Sequence, residues 1–360
     1  MQRLSAVLTL VIALLVVVVA SAQPSEPGPR AASPAKEFDR HPRVTRADQQ
    51  LLARAGGWLW WVDGDCNASA INLATLRVRH VEGQHCRVWP NPQGTLALAP
   101  IGGSADLIAE RRLAVIDLKD PRGLRQVATI HHQDGVLASP VAWDAGGENA
   151  AFCITSPAGT EVIRVTAYEW EQRVIRNACD PVWLGGDRLA FVRDDRVVDA
   201  RGRALPLRDL LLRTLRGGDA KITALAANRS RPELVAIGVA RRAQYGRAVP
   251  PAALVVADLR GIGVSYRRGD SAAVRETGIA PDGRAAWFVD GETGRSHLEA
   301  GPLPPAGPGN IPIEAWRYAW SDGGAFLAVA EDHRVEVFDW RTGQSAVVDN
   351  ISARDLAWVR

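Results

Sequence analysis

The sequence contains none of the short motifs by which common catalytic sites are recognised. It has no Gly-x-Ser-x-Gly nucleophile elbow, no phosphate-binding Walker loop, no His-Glu-x-x-His zinc motif and no Gly-x-Gly-x-x-Gly dinucleotide motif. The adjacent pair His131 and His132 could bind a metal, but neighbours in an extended chain point in opposite directions and no third ligand is evident. We therefore predict no catalytic residue, no metal ligand and no cofactor.

A calcium-binding loop is suggested by the stretch Asp63-Gly-Asp65-Cys66-Asn67, which has the first three ligand positions of such a loop. Ala68 stands where the loop requires glycine, and Ala74 where it requires a bidentate glutamate. Asp and Asn side chains also accept hydrogen bonds from the backbone of turns. We therefore predict a hairpin turn here and no calcium site.

One loop carries residues suited to an anionic partner. Arg241, Arg242, Tyr245 and Arg247 place an aromatic ring among three guanidinium groups, which bind carboxylate or phosphate in a planar, bidentate manner. A solvated basic loop is the alternative interpretation. We take these four residues as the candidate partner-binding loop.

The composition is that of a globular protein and gives no sign of nucleic-acid binding. The 360 residues are 47% hydrophobic and 23% charged, and 43 Lys and Arg against 40 Asp and Glu give a net charge of +3. A protein whose main partner is nucleic acid carries a clear basic excess. We expect no nucleic-acid partner.

Residues 1–22 have the pattern of a secretory signal peptide. Arg3 precedes an apolar stretch over residues 4–20, and Ala20-Ser21-Ala22 has the small-x-small pattern of a cleavage site. The alternative is an uncleaved membrane anchor over residues 4–20, because about 17 apolar residues reach the short limit of a transmembrane helix. Both interpretations predict an exported protein, periplasmic, in the cell envelope or secreted, with the body of the chain outside the cytoplasm.

The next segment, residues 23–50, is predicted to be a Pro-rich tether. Its prolines, small residues and charges cannot bury a hydrophobic core. The folded domain is accordingly predicted over residues 51–360.

One unit recurs through this domain: a short apolar strand that ends in a bulky residue, a tight Gly-rich turn, and a second apolar strand. The strand-ending positions of its copies are 89, 143, 183, 226, 279, 320 and 358, which is about 43 residues per copy. This is the length of one four-stranded blade of a β-propeller. Because Trp recurs at a fixed position of the unit, we predict that these rings pack between blades and do not form a carbohydrate- or base-stacking site.

The seventh copy is divided between the two ends of the domain. Residues 355–360 supply a first strand with nothing after it, and residues 56–62 supply a second strand with nothing before it. Pairing of these strands would complete one blade and tie down both ends of the chain. We predict an all-β fold, a β-propeller of seven blades with four antiparallel strands each, closed in this way. Six blades are the alternative, if the degenerate fourth and fifth units merge.

Two repeats resemble those of known families. The stretch Ile279-Ala-Pro-Asp-Gly283, followed by an apolar strand and an acidic turn, is similar to the repeat of TolB-like periplasmic β-propellers. Val335-Glu-Val-Phe-Asp339-Trp-Arg-Thr-Gly343 is similar to the outer strand and turn of WD-repeat-like propellers. The resemblance covers residues 56 to 360 and specifies blade architecture without chemistry. It implies an exported propeller that presents one face to a partner.

Four cysteines in an exported protein predict disulfide bonds. In blade topology, the turn after the second strand and the start of the next blade's first strand lie on the same rim. Cys66 and Cys153 occupy the former place, while Cys86 and Cys179 occupy the latter. We predict Cys66–Cys86 and Cys153–Cys179, each joining neighbouring blades.

These observations predict a binding or scaffolding module at the cell envelope, with an envelope or extracellular protein as its partner and a monomeric state. The missing motifs favour a role other than that of an enzyme. The alternative is a metal-dependent propeller hydrolase or lactonase. Such an enzyme needs acidic or amide side chains that converge from several first strands, and the first-strand residues 88–89, 142–143 and 357–358 are apolar.

Overall fold

A computed structural model describes much of the chain from residue 41 onward. The described residues are 41–101, 112–119, 125–131, 136–167, 169–185, 188–207, 220–228, 231, 233–242, 248–259, 264–269, 274–281, 285–290, 296–300 and 317–359. The chain divides into two compact units, Met1–His41 and Pro42–Arg360. The predicted signal peptide or anchor and the tether up to residue 40 lie outside the described residues. Within the described part, no helix is long and apolar enough to cross a membrane.

The described chain forms antiparallel sheets, numbered here from 1 to 7 in chain order, with strands numbered along the chain. Sheet 1 contains β1 (Trp58–Val62), β2 (Asn67–Asn72), β3 (Val78–Gln84) and the last strand, β27 (Asp355–Val359). Sheet 2 contains β4 (Trp89–Pro90), β5 (Leu96–Pro100), β6 (Arg112–Asp117) and β7 (Arg125–His131). Sheet 3 contains β8 (Val136–Leu137), β9 (Ala142–Trp143), β10 (Asn149–Ser156), β11 (Gly159–Thr166) and β12 (Gln172–Arg176).

The remaining sheets continue the same order. Sheet 4 contains β13 (Cys179–Trp183), β14 (Leu189–Arg193) and β15 (Arg196–Asp199). Sheet 5 contains β16 (Ala220–Ala227), β17 (Leu234–Arg242), β18 (Ala248–Asp258) and β19 (Val264–Gly269). Sheet 6 contains β20 (Val274–Ile279), β21 (Ala285–Asp290) and β22 (Ser296–Ala300), and sheet 7 contains β23 (Arg317–Trp320), β24 (Phe326–Glu331), β25 (Arg334–Asp339) and β26 (Ser345–Asp349). The predicted all-β class is confirmed, and sheets 1, 2, 5 and 7 have the predicted four antiparallel strands, whereas the described residues give five strands in sheet 3 and three each in sheets 4 and 6.

Central strands are apolar without alternation because both of their faces are covered. In β17, the consecutive residues Val235, Ala236 and Ile237 are all fully buried. A strand with one solvated face would alternate apolar and polar residues. These sheets are therefore stacked face to face.

The hydrophobic clusters of the described residues show which sheets are neighbours. Each cluster combines side chains of two consecutive sheets, from sheets 1 and 2 through to sheets 6 and 7. One further cluster joins sheet 7 to sheet 1 and includes Val337, Leu59 and Trp358. The first and last sheets thus share a core in the same way as any other neighbouring pair.

A helix precedes the first strand. This helix, α1 (Arg46–Ala55), begins after Thr45, whose hydroxyl accepts a hydrogen bond from the Asp48 N–H. Leu51 and Leu52 are buried in the cluster shared by sheets 7 and 1. The helix begins within the range 23–50 that the sequence assigned to the tether and continues to Ala55, because Leu51 and Leu52 provide the buried surface that the preceding Pro-rich residues lack.

The two ends of the domain pair in sheet 1. Strand β27 is antiparallel to β1 over five residue pairs, from Trp58 opposite Val359 to Val62 opposite Asp355. Beside this pairing, Gly57 has a φ of +77°, and a Cβ at this position would overlap the Val359 carbonyl oxygen. Only glycine fits both constraints.

Gly57→Ala is therefore expected to lower the free energy of unfolding by about 2–4 kcal/mol, through backbone strain and overpacking. Denaturant titration of the variant measures this loss. Gly323→Ala is the matched control, because nothing lies within 4 Å of the added Cβ. Equal midpoints for the two variants would contradict the described pairing of the chain ends.

Candidate functional site

The described first strands of the seven sheets line one cavity of about 450 Å³. Its wall includes residues of β4, β9, β13, β16, β20, β23 and β27. A cavity of this volume is in the range of small-molecule sites, about 300–1,000 Å³. The unit found in the sequence therefore places its strand-ending residues around a common space.

The repeated tryptophans connect neighbouring first strands. The Trp143 indole N–H donates to the Trp89 carbonyl at 2.9 Å, and the Trp183 indole N–H donates to the Ala142 carbonyl at 3.0 Å. The Trp358 indole N–H donates to the Gly56 carbonyl at 3.1 Å. These bonds support the predicted packing role. Trp320 differs, because its ring meets Trp340 edge-on with centroids 5.4 Å apart.

A second set of contacts between sheets was missed by the sequence analysis. Beyond the tryptophan of β4, the Asn91 amide donates to the Gly147 carbonyl at 3.4 Å and the Gln93 amide to the Ala145 carbonyl at 3.0 Å. The Asn228 amide, beyond β16, donates to the Ala280 carbonyl. The sequence signal for these contacts is a polar residue directly after an apolar first strand, as at Asn91 and Asn228.

Both predicted disulfides are present in the structure. Cys66–Cys86 joins sheets 1 and 2, and Cys153–Cys179 joins sheets 3 and 4. Cys66 follows β1 and Cys153 lies in the second half of β10, while Cys86 precedes β4 and Cys179 begins β13. We call this side of the sheets the disulfide rim, defined by these four cysteines.

Each disulfide closes a segment of 20 or 26 residues in sequence. Loop-closure entropy then gives about 3 kcal/mol of stabilisation for each bond. The double variants Cys66→Ala/Cys86→Ala and Cys153→Ala/Cys179→Ala are expected to lose about this much in denaturant titrations. Because the bonds lie in different sheet pairs, the two losses should add in the quadruple variant. A quadruple variant as stable as either double variant would contradict independent contributions.

The stretch that resembled a calcium loop forms the turn between β1 and β2. The Asp63 carboxylate accepts hydrogen bonds from the backbone N–H groups of Asp65 and Asn67, each at 2.9 Å. The predicted hairpin turn is therefore confirmed, and this carboxylate is engaged with the turn's own backbone.

The described part of the candidate partner-binding loop, Arg241 and Arg242, lies where the second strand of sheet 5 ends on the disulfide rim. Arg241 is exposed at the end of β17, and Arg242 pairs with Ala248 across the hairpin. Tyr245 and Arg247 lie outside the described residues. The structure thus describes the two residues that begin this loop, Arg241 and Arg242, and its binding role stays a prediction.

Within the described part of the chain, no three His, Cys, Asp or Glu side chains lie close enough together to bind one metal ion. His131 ends β7, and His132 lies outside the described residues.

Charged side chains line the cavity although its first strands appeared apolar in sequence. Asp180, Asp355 and Arg87 lie at the disulfide-rim end of their strands, and Asp322 lies at the opposite end. The sequence does contain a signal for these carboxylates, because Asp180 and Asp355 each lie three residues before the tryptophan of their unit. The prediction of apolar first strands rested only on the residues next to each tryptophan.

Asp180 is held in an unusual backbone conformation. The pairing of β13 with β14 shifts register between Cys179 and Val182, which leaves Asp180 and Pro181 in a bulge. Asp180 itself has a φ of 49°, in the left-handed region. Bulges of this kind redirect side chains and are frequent beside functional sites. The Cys153–Cys179 disulfide holds the adjacent residue.

The Asp180 carboxyl also differs chemically from an ordinary aspartate. Burial raises its pKa from 3.8 to about 6, because desolvation disfavours the charged form. The Asp180 side chain is half-buried, and the protein atoms around it keep enough water away to disfavour its charged form. Among the described residues, no hydrogen-bond or ion-pair partner of this carboxylate is found.

Because the pKa of the Asp180 carboxyl is raised in the folded protein, ionisation of this side chain destabilises the fold. The destabilisation is absent below the unfolded pKa of 3.8 and complete above about pH 6, where it reaches about 3 kcal/mol. Asp180→Asn is therefore expected to raise the free energy of unfolding at pH 7.5 and to change it little at pH 4. Urea titrations at both pH values measure the difference.

Asp194→Asn is the matched control for this effect. Asp194 has a φ of 50°, almost that of Asp180, but its side chain is exposed on the β14–β15 hairpin. A stability gain at pH 7.5 in both variants, or one in Asp180→Asn that is equally large at pH 4, would contradict the desolvation account.

Two solved structures align with most of this chain, and one of them is a β-propeller domain. The β-propeller domain of Cps50 (Swd1) from Myceliophthora thermophila aligns with 12% identity and a TM-score of 0.51, covering 77% of this chain and 91% of that one. A functionally unknown protein from Desulfotomaculum acetoxidans aligns with 10% identity and a TM-score of 0.51, covering 85% and 99%. The predicted resemblance to β-propellers is thus confirmed at the level of the fold.

TolB from Acinetobacter baumannii aligns with 10% identity over 84% of this chain and 66% of that one. Its TM-score of 0.46 is below the value that indicates a common fold. No protein-family model matches the sequence. No curated protein matches it either.

Proposed function

We propose that this protein is an exported, seven-bladed β-propeller that binds a protein partner at the cell envelope through its disulfide rim. The observation that carries the proposal is that both disulfides and the base of the Arg241 loop lie on this one rim. Covalent links between neighbouring sheets reduce the motion of the surface they join. A rigid rim loses less conformational entropy when a partner binds.

Seven blades are supported by the arrangement of the described sheets. The first strands of sheets 1 to 7 line one cavity, and sheet 7 shares a hydrophobic cluster with sheet 1. Pairing of β27 with β1 then closes the ring by uniting the chain ends in one blade. A merger of the fourth and fifth units would give six blades, but each unit has its own first strand, β13 and β16.

Export is supported by the N-terminal pattern together with the two disulfides. Residues 1–22 direct the chain out of the cytoplasm, or residues 4–20 anchor it, and a tether then leads to the folded domain. Disulfides form in oxidising compartments such as the periplasm or the extracellular space. The protein acts as a monomeric module in this location, without a cofactor.

The loop at Arg241, Arg242, Tyr245 and Arg247 gives the partner its chemical character. Three guanidinium groups favour a carboxylate-rich protein surface, and Tyr is frequent at the centre of interfaces. The loop connects two long strands, β17 and β18, so a partner that binds it can do so without displacement of the core.

A photo-crosslinking amino acid at position 245 tests this surface in the native envelope. We expect one protein to be captured from position 245 and not from position 342, which lies in an exposed turn on the opposite rim. Capture should fall at least about tenfold in the triple variant Arg241→Ala/Arg242→Ala/Arg247→Ala, because each lost charge-assisted hydrogen bond weakens binding.

The matched control is Arg77→Ala/Arg201→Ala/Arg341→Ala. These three arginines are exposed in turns on the opposite rim, so the same charge is removed elsewhere. Equal loss of capture in both triple variants would show a nonspecific charge effect and contradict the proposed site. Stoichiometric metal in the purified protein, without capture from position 245, would favour the metal-dependent hydrolase alternative.

A further inference from the structure

We propose that the cavity between the first strands binds a small organic cation, an ammonium or guanidinium group on an apolar body, with the Asp180 carboxylate as its counter-ion. This site is separate from the partner-binding rim loop and does not depend on it. It rests on the geometry of the cavity, the charge of its lining and the placement of Asp180.

The cavity has the size and surface of a small-molecule site. Its volume of about 450 Å³ is enclosed largely by aliphatic residues and by the five first-strand tryptophans among the described lining residues. Ligand sites are typically apolar with a few polar groups that fix orientation. The apolar wall suits the carbon body of a ligand, and indole is the side chain with the strongest attraction for cations.

The charge of the lining favours a cation. Three carboxylates, Asp180, Asp322 and Asp355, and one arginine, Arg87, are among the residues that line the cavity. This surplus of acidic residues favours a positively charged ligand over a negative one.

Asp180 is the group placed to meet that cation. A bulge and a left-handed backbone conformation set its position, and the disulfide at Cys179 holds the adjacent residue. Its carboxylate lines the cavity without a hydrogen-bond or ion-pair partner in the described part of the protein. A buried carboxylate of this kind destabilises the fold when ionised, and a bound cation would remove that cost.

An organic cation fits this lining better than a metal ion. Metals such as calcium or zinc need several ligands around one point, and no such group of His, Cys, Asp or Glu side chains is found in the described residues. An ammonium or guanidinium group needs one well-placed carboxylate and apolar surface beside it.

The test uses the mature full-length protein with n-butylguanidinium and n-butylammonium as probes. The neutral isostere n-butylurea is the control ligand. Binding is followed by the indole N–H resonances of the protein in ¹⁵N NMR titrations at pH 7.5. We expect saturable shifts with both cations at millimolar concentrations, as for ligands of this size, and much weaker shifts with n-butylurea.

Two matched variants assign the site. Asp180→Asn should weaken binding of both cations by about tenfold or more, since the charge-assisted contact is lost. Asp194→Asn, with nearly the same backbone φ on an exposed hairpin, should bind like the unmodified protein. Because Asn removes an ionised group from a desolvated site, folding of Asp180→Asn is not expected to fail, and its NMR spectrum checks this.

The outcomes separate clearly. Preferential binding of the cations that depends on Asp180 supports the proposal. Equal shifts with the cations and the urea, equal affinity in Asp180→Asn and the unmodified protein, or no saturable binding of any probe would each overturn it. None of these results bears on partner capture at position 245, so the two sites are tested independently.

Discussion

The antiparallel pairing of β27 with β1 is the contact on which the rest of the architecture depends. Every other sheet is made from one continuous stretch of chain, whereas sheet 1 combines residues 58–84 with residues 355–359. This pairing supplies the first strand of sheet 1, so that residues of β27 line the cavity beside those of the other six first strands. It also places Leu59 and Trp358 in the hydrophobic cluster shared with sheet 7. The helix α1 packs on that same core and ties down the preceding chain.

Stability and function make opposite demands on the cavity. The indole N–H groups of Trp143 and Trp183 donate to backbone carbonyls of the preceding sheet and so hold the sheets together. Asp180 does the reverse, because its desolvated carboxylate weakens the fold when ionised. A strained residue with a destabilising charge is retained more readily where it serves binding than where it serves packing. The cavity lining therefore combines residues that hold the sheets together with a carboxylate that weakens the fold when ionised.

Periodic features were predictable from the sequence, and single departures from the period were not. The repeated apolar strands and their tryptophans predicted the sheets, and blade topology predicted both cysteine pairs. Helix α1 was missed, since its Thr45 cap and its Leu51-Leu52 pair follow a Pro-rich stretch that indicated a tether. Asp180 was missed because its chemistry comes from a bulge and from desolvation, which depend on tertiary packing and not on residue type.

Native-state amide hydrogen exchange tests the central claim, that the ends of the domain form one integral sheet. The account predicts that β27 amides exchange only through global unfolding, with the same free energy of opening as those of the buried strand β10. Amides of β27 that exchange orders of magnitude faster, as in a frayed terminus, would contradict it.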